Sequence, residues 1–297
     1  MFRKVFPLLS FLLFLLLSPV AANARTLTAL RDSIGSVVAD KDLKLGFALY
    51  DFQTGQEISI NGDQWFPMQS VYKFPIAVAL LSCVDNGECS LADTADITPE
   101  DLYPDHWSPI REQYPRGTKM PLAEVVRYMV SQSDNCATDI ILKKIGGTDR
   151  VQQIIEGLGA RGIYVKNTER ELQSDWNLQF ENRTTPENMI AFLKLFNEDR
   201  LLSESSRMFL WDVMSTRNGR LDKSLPENVL LIHKTGYSGV GPDGTIAALN
   251  DVGIMVFPDN KRVAVATFIT GSRLSNERNL EVLGRIGYLI ASFYNTK

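Results

Sequence analysis

Cysteine is scarce in this chain: Cys83, Cys89 and Cys136 are the only three among 297 residues, and none forms a Cys-x-x-Cys pair. An odd count without that spacing excludes a disulfide-dense scaffold and a cysteine zinc site. An oxidising compartment would allow one bridge, and the sequence leaves its partners open. Histidine is scarcer still. His106 and His233 lie far apart, outside any His-Glu-x-x-His setting. No Gly-x-Ser-x-Gly elbow occurs either, so a Ser-His-Asp mechanism has no support. No basic run offsets the net charge of -4, which argues against a nucleic-acid surface.

Long apolar runs are missing beyond residue 24. Before it, Arg3 and Lys4 precede the apolar stretch VFPLLSFLLFLLL, and Ala22–Ala24 (ANA) offers a small-x-small cleavage site. The pattern predicts a secretory signal peptide over 1–24, cut near Ala24. No later segment is apolar for long enough to span a bilayer, so no membrane attachment is expected after cleavage.

What is present is an ordinary globular composition, 44% apolar and 22% charged. The part after the leader opens with a helical pattern, LTALRDSIGSVVADK, then two strand-like runs, KLGFALYDF and QEISI, that read as a hairpin. A second strand block lies near the end: NVLLIHKTG, TIAALNDVGIMVFP and RVAVATFIT, followed by an amphipathic helical stretch. Between the blocks helical periodicity dominates. The predicted fold is therefore α/β plus all-α. Residues 25–62 and 216–297 form a discontinuous α/β domain whose antiparallel sheet is flanked by N- and C-terminal helices, and 63–215 form an inserted all-α domain. The segment Gly157–Gly162 (GLGARG) fits a dinucleotide-binding pattern but ends a helix, so it reads as a helix C-cap and loop.

Four short stretches carry chemistry. In FPMQSVYKFPIA, Phe66–Ala77, Lys73 stands one helical turn from Ser70 among residues fit for burial. A serine nucleophile needs a base, and a helix starting near Ser70 would turn free N–H groups toward a developing oxyanion. Alone the Ser-x-x-Lys spacing is weak, since a serine at a helix start with a snorkelling lysine is commonplace. Ser133-Asp134-Asn135 follows a helix, and Lys234-Thr235-Gly236 ends a strand. Each has a bland reading as a polar turn or a strand end. All three in this order form the signature of class A β-lactamases and penicillin-binding proteins.

On these motifs the chain resembles a class A serine β-lactamase over its whole length after the leader. The stretch Glu169–Gln173 (ERELQ) resembles that family's loop motif Glu-x-Glu-Leu-Asn, which separates it from penicillin-binding relatives. FPMQSVYKFPIA, WSPIREQYPRG and HKTGYSG are similar to the extended-spectrum PER and VEB types. The resemblance implies hydrolysis of penicillins and cephalosporins through a Ser70 acyl-enzyme, conferring resistance. Lys73, or Glu169 acting through a water, would be the acylation base. Ser133 would pass a proton to the lactam nitrogen, and Glu169 would activate the deacylating water. The Ser70 and Tyr237 N–H groups would form the oxyanion hole. Asn135 would bind the drug's side-chain amide. Lys234, Thr235 and Gly236 of the triplet, with Arg220 and Ser238, would line the carboxylate site, and Trp107 would be an aromatic wall.

Two departures from the family stand out. Gln173 replaces the usual asparagine that helps to hold the hydrolytic water, and Asn167 and Asn182 replace an Arg–Asp staple. A neutral Asn–Asn closure predicts a looser loop and a wider pocket. The resemblance further implies a monomeric, secreted, periplasmic enzyme with β-lactams as its partners and no metal or organic cofactor. The alternatives are a penicillin-binding D-Ala-D-Ala carboxypeptidase or transpeptidase, or a β-lactam sensor that is acylated without turnover.

Overall fold

A computed structural model describes residues 26–295; the predicted signal peptide lies outside them. Five antiparallel strands make the main sheet, in the order Glu57–Ile60, Lys44–Asp51, Arg262–Thr270, Leu249–Val256, Leu230–Tyr237. The first two pair as the predicted hairpin, with Phe47 opposite Ile60. Both chain ends thus contribute, and the strand carrying the Lys-Thr-Gly triplet forms one edge.

The sheet is buried on both faces because its strands alternate two apolar sets. Phe47, Leu49, Val263, Val265 and Met255 pack with the helices Leu27–Val38 and Asn276–Tyr294. Ala48, Ala264, Ala266, Val252 and Ile254 face the helices of the intervening segment. Small alanines on that second face let helices approach closely. At its centre lies Lys73–Asp85, a helix buried from Lys73 to Cys83. It is apolar all round, so it suits a core position rather than a surface one, and its first residue is carried inside with it.

Between the strand blocks, the expected helices occur at Leu122–Ser131, Asn135–Ile145, Thr148–Gly157 and Pro186–Asn197. Gly146 closes one of them in the left-handed conformation at φ 109°, where glycine has no Cβ penalty. Thr185 caps another, accepting from the Asn188 N–H at 3.1 Å, with Pro186 at its first position. Gly157 ends its helix, and the glycines after it adopt positive φ, as a C-cap and loop require. The segment is not purely helical, however. Thr94–Ile97 pairs with Thr118–Pro121, and Phe66–Pro67, Arg183–Thr184 and Ile163–Tyr164 form a three-stranded patch. Runs of two to four residues are too short to show a strand period. All three cysteines are free thiols, with Cys83 and Cys136 buried. Among the described residues no helix is long and apolar enough to cross a membrane.

Candidate active site

Ser70 lies in a single 3-10 turn, Gln69–Tyr72, which runs directly into the buried helix beginning at Lys73. The α-helix therefore starts three residues later than the spacing suggests. Gln69 before it is held at φ 46°, a left-handed conformation that costs a non-glycine residue ~1–3 kcal/mol. Its amide donates to Gln179 Oε1 at 2.6 Å, and the Met68 N–H donates to the Asn182 carbonyl at 2.8 Å. Both partners belong to the loop that carries Glu169.

Lys73 is wholly buried and its ammonium is fully engaged. It donates to the Ser133 carbonyl at 2.8 Å and to Asn135 Oδ1 at 2.5 Å, and pairs with Glu169 Oε1 at 3.0 Å. Three of the four motifs thus converge on one nitrogen. A buried ammonium with three oxygen partners, one of them a carboxylate, meets the condition for burying charge.

The Ser-Asp-Asn triplet divides its work. Ser133 sits at φ 57°, strained in the same sense as Gln69. Asp134, buried, holds that turn: it accepts from the Ala137 and Ile110 N–H groups at 2.9 and 2.7 Å and from Ser108 Oγ at 3.0 Å. Burial raises its pKa against these hydrogen bonds. Asn135 then opens the next helix, and its N–H donates to the Trp107 carbonyl at 3.1 Å. Trp107 is 61% exposed, its indole N–H donating to the Gln132 carbonyl at 2.9 Å. It lies at the surface, not in the core.

Lys234 brings in the third motif. Its ammonium donates to Ser133 Oγ at 3.0 Å and to the Thr235 carbonyl at 3.1 Å. Burial, then the nearby Lys73 and Arg220 charges, push its pKa well below the usual lysine value. Arg220 lies beneath the same strand and spans its ladder, donating to the Gly236 and Asn250 carbonyls at 2.9 Å each. Thr235 is buried, with Asn218 Nδ2 at 3.5 Å from its hydroxyl. Gly236 is dictated by closeness: a Cβ there would stand 2.4 Å from the Met68 carbonyl and 3.2 Å from the Ser70 nitrogen. The Ser238 N–H donates to the Ala248 carbonyl at 3.0 Å. Antiparallel alternation then turns the Tyr237 N–H to the open edge of the sheet.

Glu169 opens a short helix, Glu169–Ser174, capped by Thr168 and closed by a Thr168–Glu171 capping box. Glu171 is therefore a structural carboxylate. Asp139 fixes the helix from below, accepting the Glu169 and Arg170 N–H groups at 2.8 and 3.0 Å and the Tyr103 hydroxyl at 2.8 Å. Burial raises its pKa to about 6.

Two residues stand less centrally than the resemblance implies. Gln173 is exposed, with its amide 3.5 Å from the Pro104 carbonyl. The Ser238 hydroxyl is spent locally, donating to the Gly239 carbonyl at 2.7 Å and accepting from the Ala248 N–H at 3.1 Å.

The loop closure also differs from a side-chain pair. Asn182 Oδ1 accepts from the Lys166 and Asn167 N–H groups at 2.7 and 2.9 Å, and its Nδ2 donates to the Asn167 carbonyl at 2.9 Å. Asn167 Nδ2 donates to Glu181 and to the Leu178 carbonyl. The two amides are buried and staple backbone, so neutrality here does not mean an open loop.

Sequence reading missed Asp139 and both histidines. His106 Nδ1 lies 3.1 Å from Asn135 Nδ2. His233 is buried beneath the Lys234 strand, 2.6 Å from Asp251 and 2.6 Å from the Thr216 carbonyl. Neither sits in a motif. Asp139, four residues after Asn135 and so on the same helix face, was the one detectable signal.

The Ser70 turn, two buried lysines, a strained serine and a buried glutamate lie together between a sheet edge and a helical layer. The β-lactamase enzyme family model matches residues 29–294, and the chain belongs to that family, in class A, whose members hydrolyse β-lactams. It is 38% identical over 291 residues to β-lactamase VEB-1 of Pseudomonas aeruginosa, covering 96% of this chain and 97% of the relative. It is 31% identical over 269 residues to the extended-spectrum β-lactamase PER-1 of the same organism, covering 89% and 87%. The crystal structure of a β-lactamase from Chitinophaga pinensis superposes with a TM-score of 0.87 at 37% identity, covering 90% of this chain and 100% of that one.

Proposed function

We propose that the enzyme hydrolyses β-lactams through an acyl-enzyme on Ser70, with Glu169 activating the water that releases it. The carrying observation is the buried ion pair of Glu169 with Lys73 at 3.0 Å, beside the Ser70 turn. A carboxylate there is placed to serve as base to a water that attacks the acyl-enzyme. Ser70 Oγ attacks the lactam carbonyl while its proton passes to Lys73, once that ammonium has given a proton to Glu169, or to Glu169 through a water. The oxyanion is held by the Ser70 and Tyr237 N–H groups, each donor of this kind being worth ~2.7–4 kcal/mol. Ser133, bridging toward Lys234, then delivers a proton to the lactam nitrogen as its C–N bond breaks. Water attacks the ester with Glu169 as base, and the ring-opened acid leaves.

Lys234 and Arg220 supply positive charge for the substrate carboxylate, with Thr235 as hydroxyl donor and Gly236 giving clearance to the Ser70 turn. Ser238 assists only if its hydroxyl leaves Gly239. Arg220 acts mainly as a field, since its Nη1 is committed to two carbonyls. Asn135 binds the side-chain amide, and Gln173 is the amide offered to the water. Trp107 and Tyr237, both exposed, form a rim suited to large side chains. That rim, and the extended-spectrum name of PER-1, support activity on oxyimino-cephalosporins. The enzyme acts as a monomer in the periplasm after removal of residues 1–24. Residues 63–215 form one domain against the discontinuous pair 25–62 and 216–297.

Time-resolved mass spectrometry with a cephalosporin tests the mechanism, comparing wild type with Glu169→Ala. Wild type should consume drug with only a transient adduct on Ser70, while the variant accumulates it. A wild type that stays stoichiometrically acylated overturns the reading.

A further inference from the structure

A chain of hydrogen bonds leads from Lys73 out of the site and fixes the state of a group that the mechanism leaves unused. Lys73 Nζ has no acceptor capacity, so the atom of Asn135 at 2.5 Å is its carbonyl oxygen. The Asn135 amide nitrogen must then be the atom at 3.1 Å from His106 Nδ1. An amide NH2 only donates, so Nδ1 must accept and carry no proton. A neutral ring keeps its proton on Nε2, a buried atom.

We infer that His106, in its Nε2–H form, is a positioning residue that sets the amide orientation of Asn135, and that a proton on Nδ1 undoes this setting. An imidazolium offers two donors. Asn135 would have to present its oxygen to His106 and its NH2 to Lys73, donor against donor, or lose one contact. The inference rests on the proposed role of Asn135 in binding the substrate amide.

The surroundings keep the ring neutral. Burial lowers its pKa, as do the Lys73 ammonium and the Arg111 guanidinium. Glu169 and the Gln173 side chain act in the opposite sense. Tyr103 meets the ring edge-on with centroids 4.9 Å apart, and its hydroxyl is committed to Asp139. Arg111 Nη1 and Nη2 donate to the Tyr103 and His106 carbonyls at 2.7 Å each, which fixes the segment carrying the ring. Among the described residues no carboxylate bonds the imidazole directly.

Ring-15N histidine NMR tests this, and with only two histidines in the chain one substitution assigns the spectrum. At pH 8 His106 should show an unprotonated Nδ1 and a protonated Nε2. Asn135→Asp, which offers only acceptors, should move a proton onto Nδ1. Kinetics give the second reading on a β-lactam with an acylamino side chain. His106→Leu, with no acceptor, should lose about five- to tenfold in kcat/KM, the size of one hydrogen bond. His106→Asn, whose Oδ1 can replace Nδ1, should restore it and remove from the acid side of the pH profile the limb belonging to His106. A protonated Nδ1 at pH 8, or a His106→Leu enzyme equal to wild type, overturns the inference. Stable acylation of wild type with the predicted tautomer intact would overturn the hydrolase reading alone.

Discussion

Lys73 and Lys234 are both buried, both touch Ser133, and differ in one respect. Lys73 has the Glu169 carboxylate at 3.0 Å, whereas Lys234 meets only a hydroxyl and a carbonyl. Among the described residues no carboxylate pairs with Lys234. One charge is balanced inside the protein and the other is left to be balanced by something that arrives. An internally paired lysine can exchange protons with its neighbours without a ligand, which suits chemistry. An unpaired one gains most when an anion binds, which suits recognition.

The largest effect should come from breaking this difference by truncation. Lys73→Ala removes the group beside the proposed nucleophile, Ser70, and leaves Glu169 buried and unpaired. The acylation rate should fall ~10²–10⁴-fold, the span of general acid–base catalysis, with little change in KM. Lys234→Ala should cost ~10–10²-fold, as for a lost charge-assisted hydrogen bond, and mostly in KM for substrates with a carboxylate. Stopped-flow acylation rates and KM values separate the two. Equal kcat and KM signatures for both variants would erase the contrast.

A smaller effect sharpens it. The pKa of Lys234 is lowered, so its ammonium is lost at a lower pH than an exposed lysine's. KM for a carboxylate substrate should rise severalfold as pH climbs through that value. Lys234→Arg stays charged throughout and should flatten the rise. A wild-type KM independent of pH up to the ordinary lysine range would mean that Lys234 keeps its proton without help from substrate.

The unequal partnering of the lysines also marks where sequence reading stops. Ser70, Lys73, Ser133, Glu169 and Lys234 are legible because they fall in short motifs of fixed spacing, and the strands and long helices because burial imposes a period. The pairing of Lys73 with Glu169 is not local, since it spans nearly a hundred residues and depends on how the loop closes. That loop misled for the same reason: Asn167 and Asn182 lack charge, yet their amides satisfy buried backbone, which only geometry reveals. Ser238 reads as an available hydroxyl until its own strand is seen to occupy it. His106 and His233 were set aside for lack of a motif, and both lie next to residues that have one.

The histidines repeat the contrast with the same physics, and with the smallest expected effect. Burial lowers the pKa of His233, but Asp251 at 2.6 Å, with Thr216 and Asp222, outweighs it and leaves the pKa raised. His106 lacks such a carboxylate and ends lowered. An unfolded histidine titrates near ~6.5. His233 therefore contributes stability that is complete below that pH and is lost as pH rises through its folded value. His106 contributes stability that is present above it and is lost as pH falls through its own. The two slopes have opposite signs and lie on opposite sides of the unfolded value, so stability peaks near it as far as these two groups are concerned. His233→Gln should leave a melting temperature that rises with pH between 6 and 8 relative to wild type. His106→Asn should leave one that falls relative to wild type as pH rises toward about 6.5 from the acid side. The changes should be a few degrees at most for a chain of this size. Parallel melting curves for both variants on both sides of about 6.5 would show that the carboxylate does not set the sign.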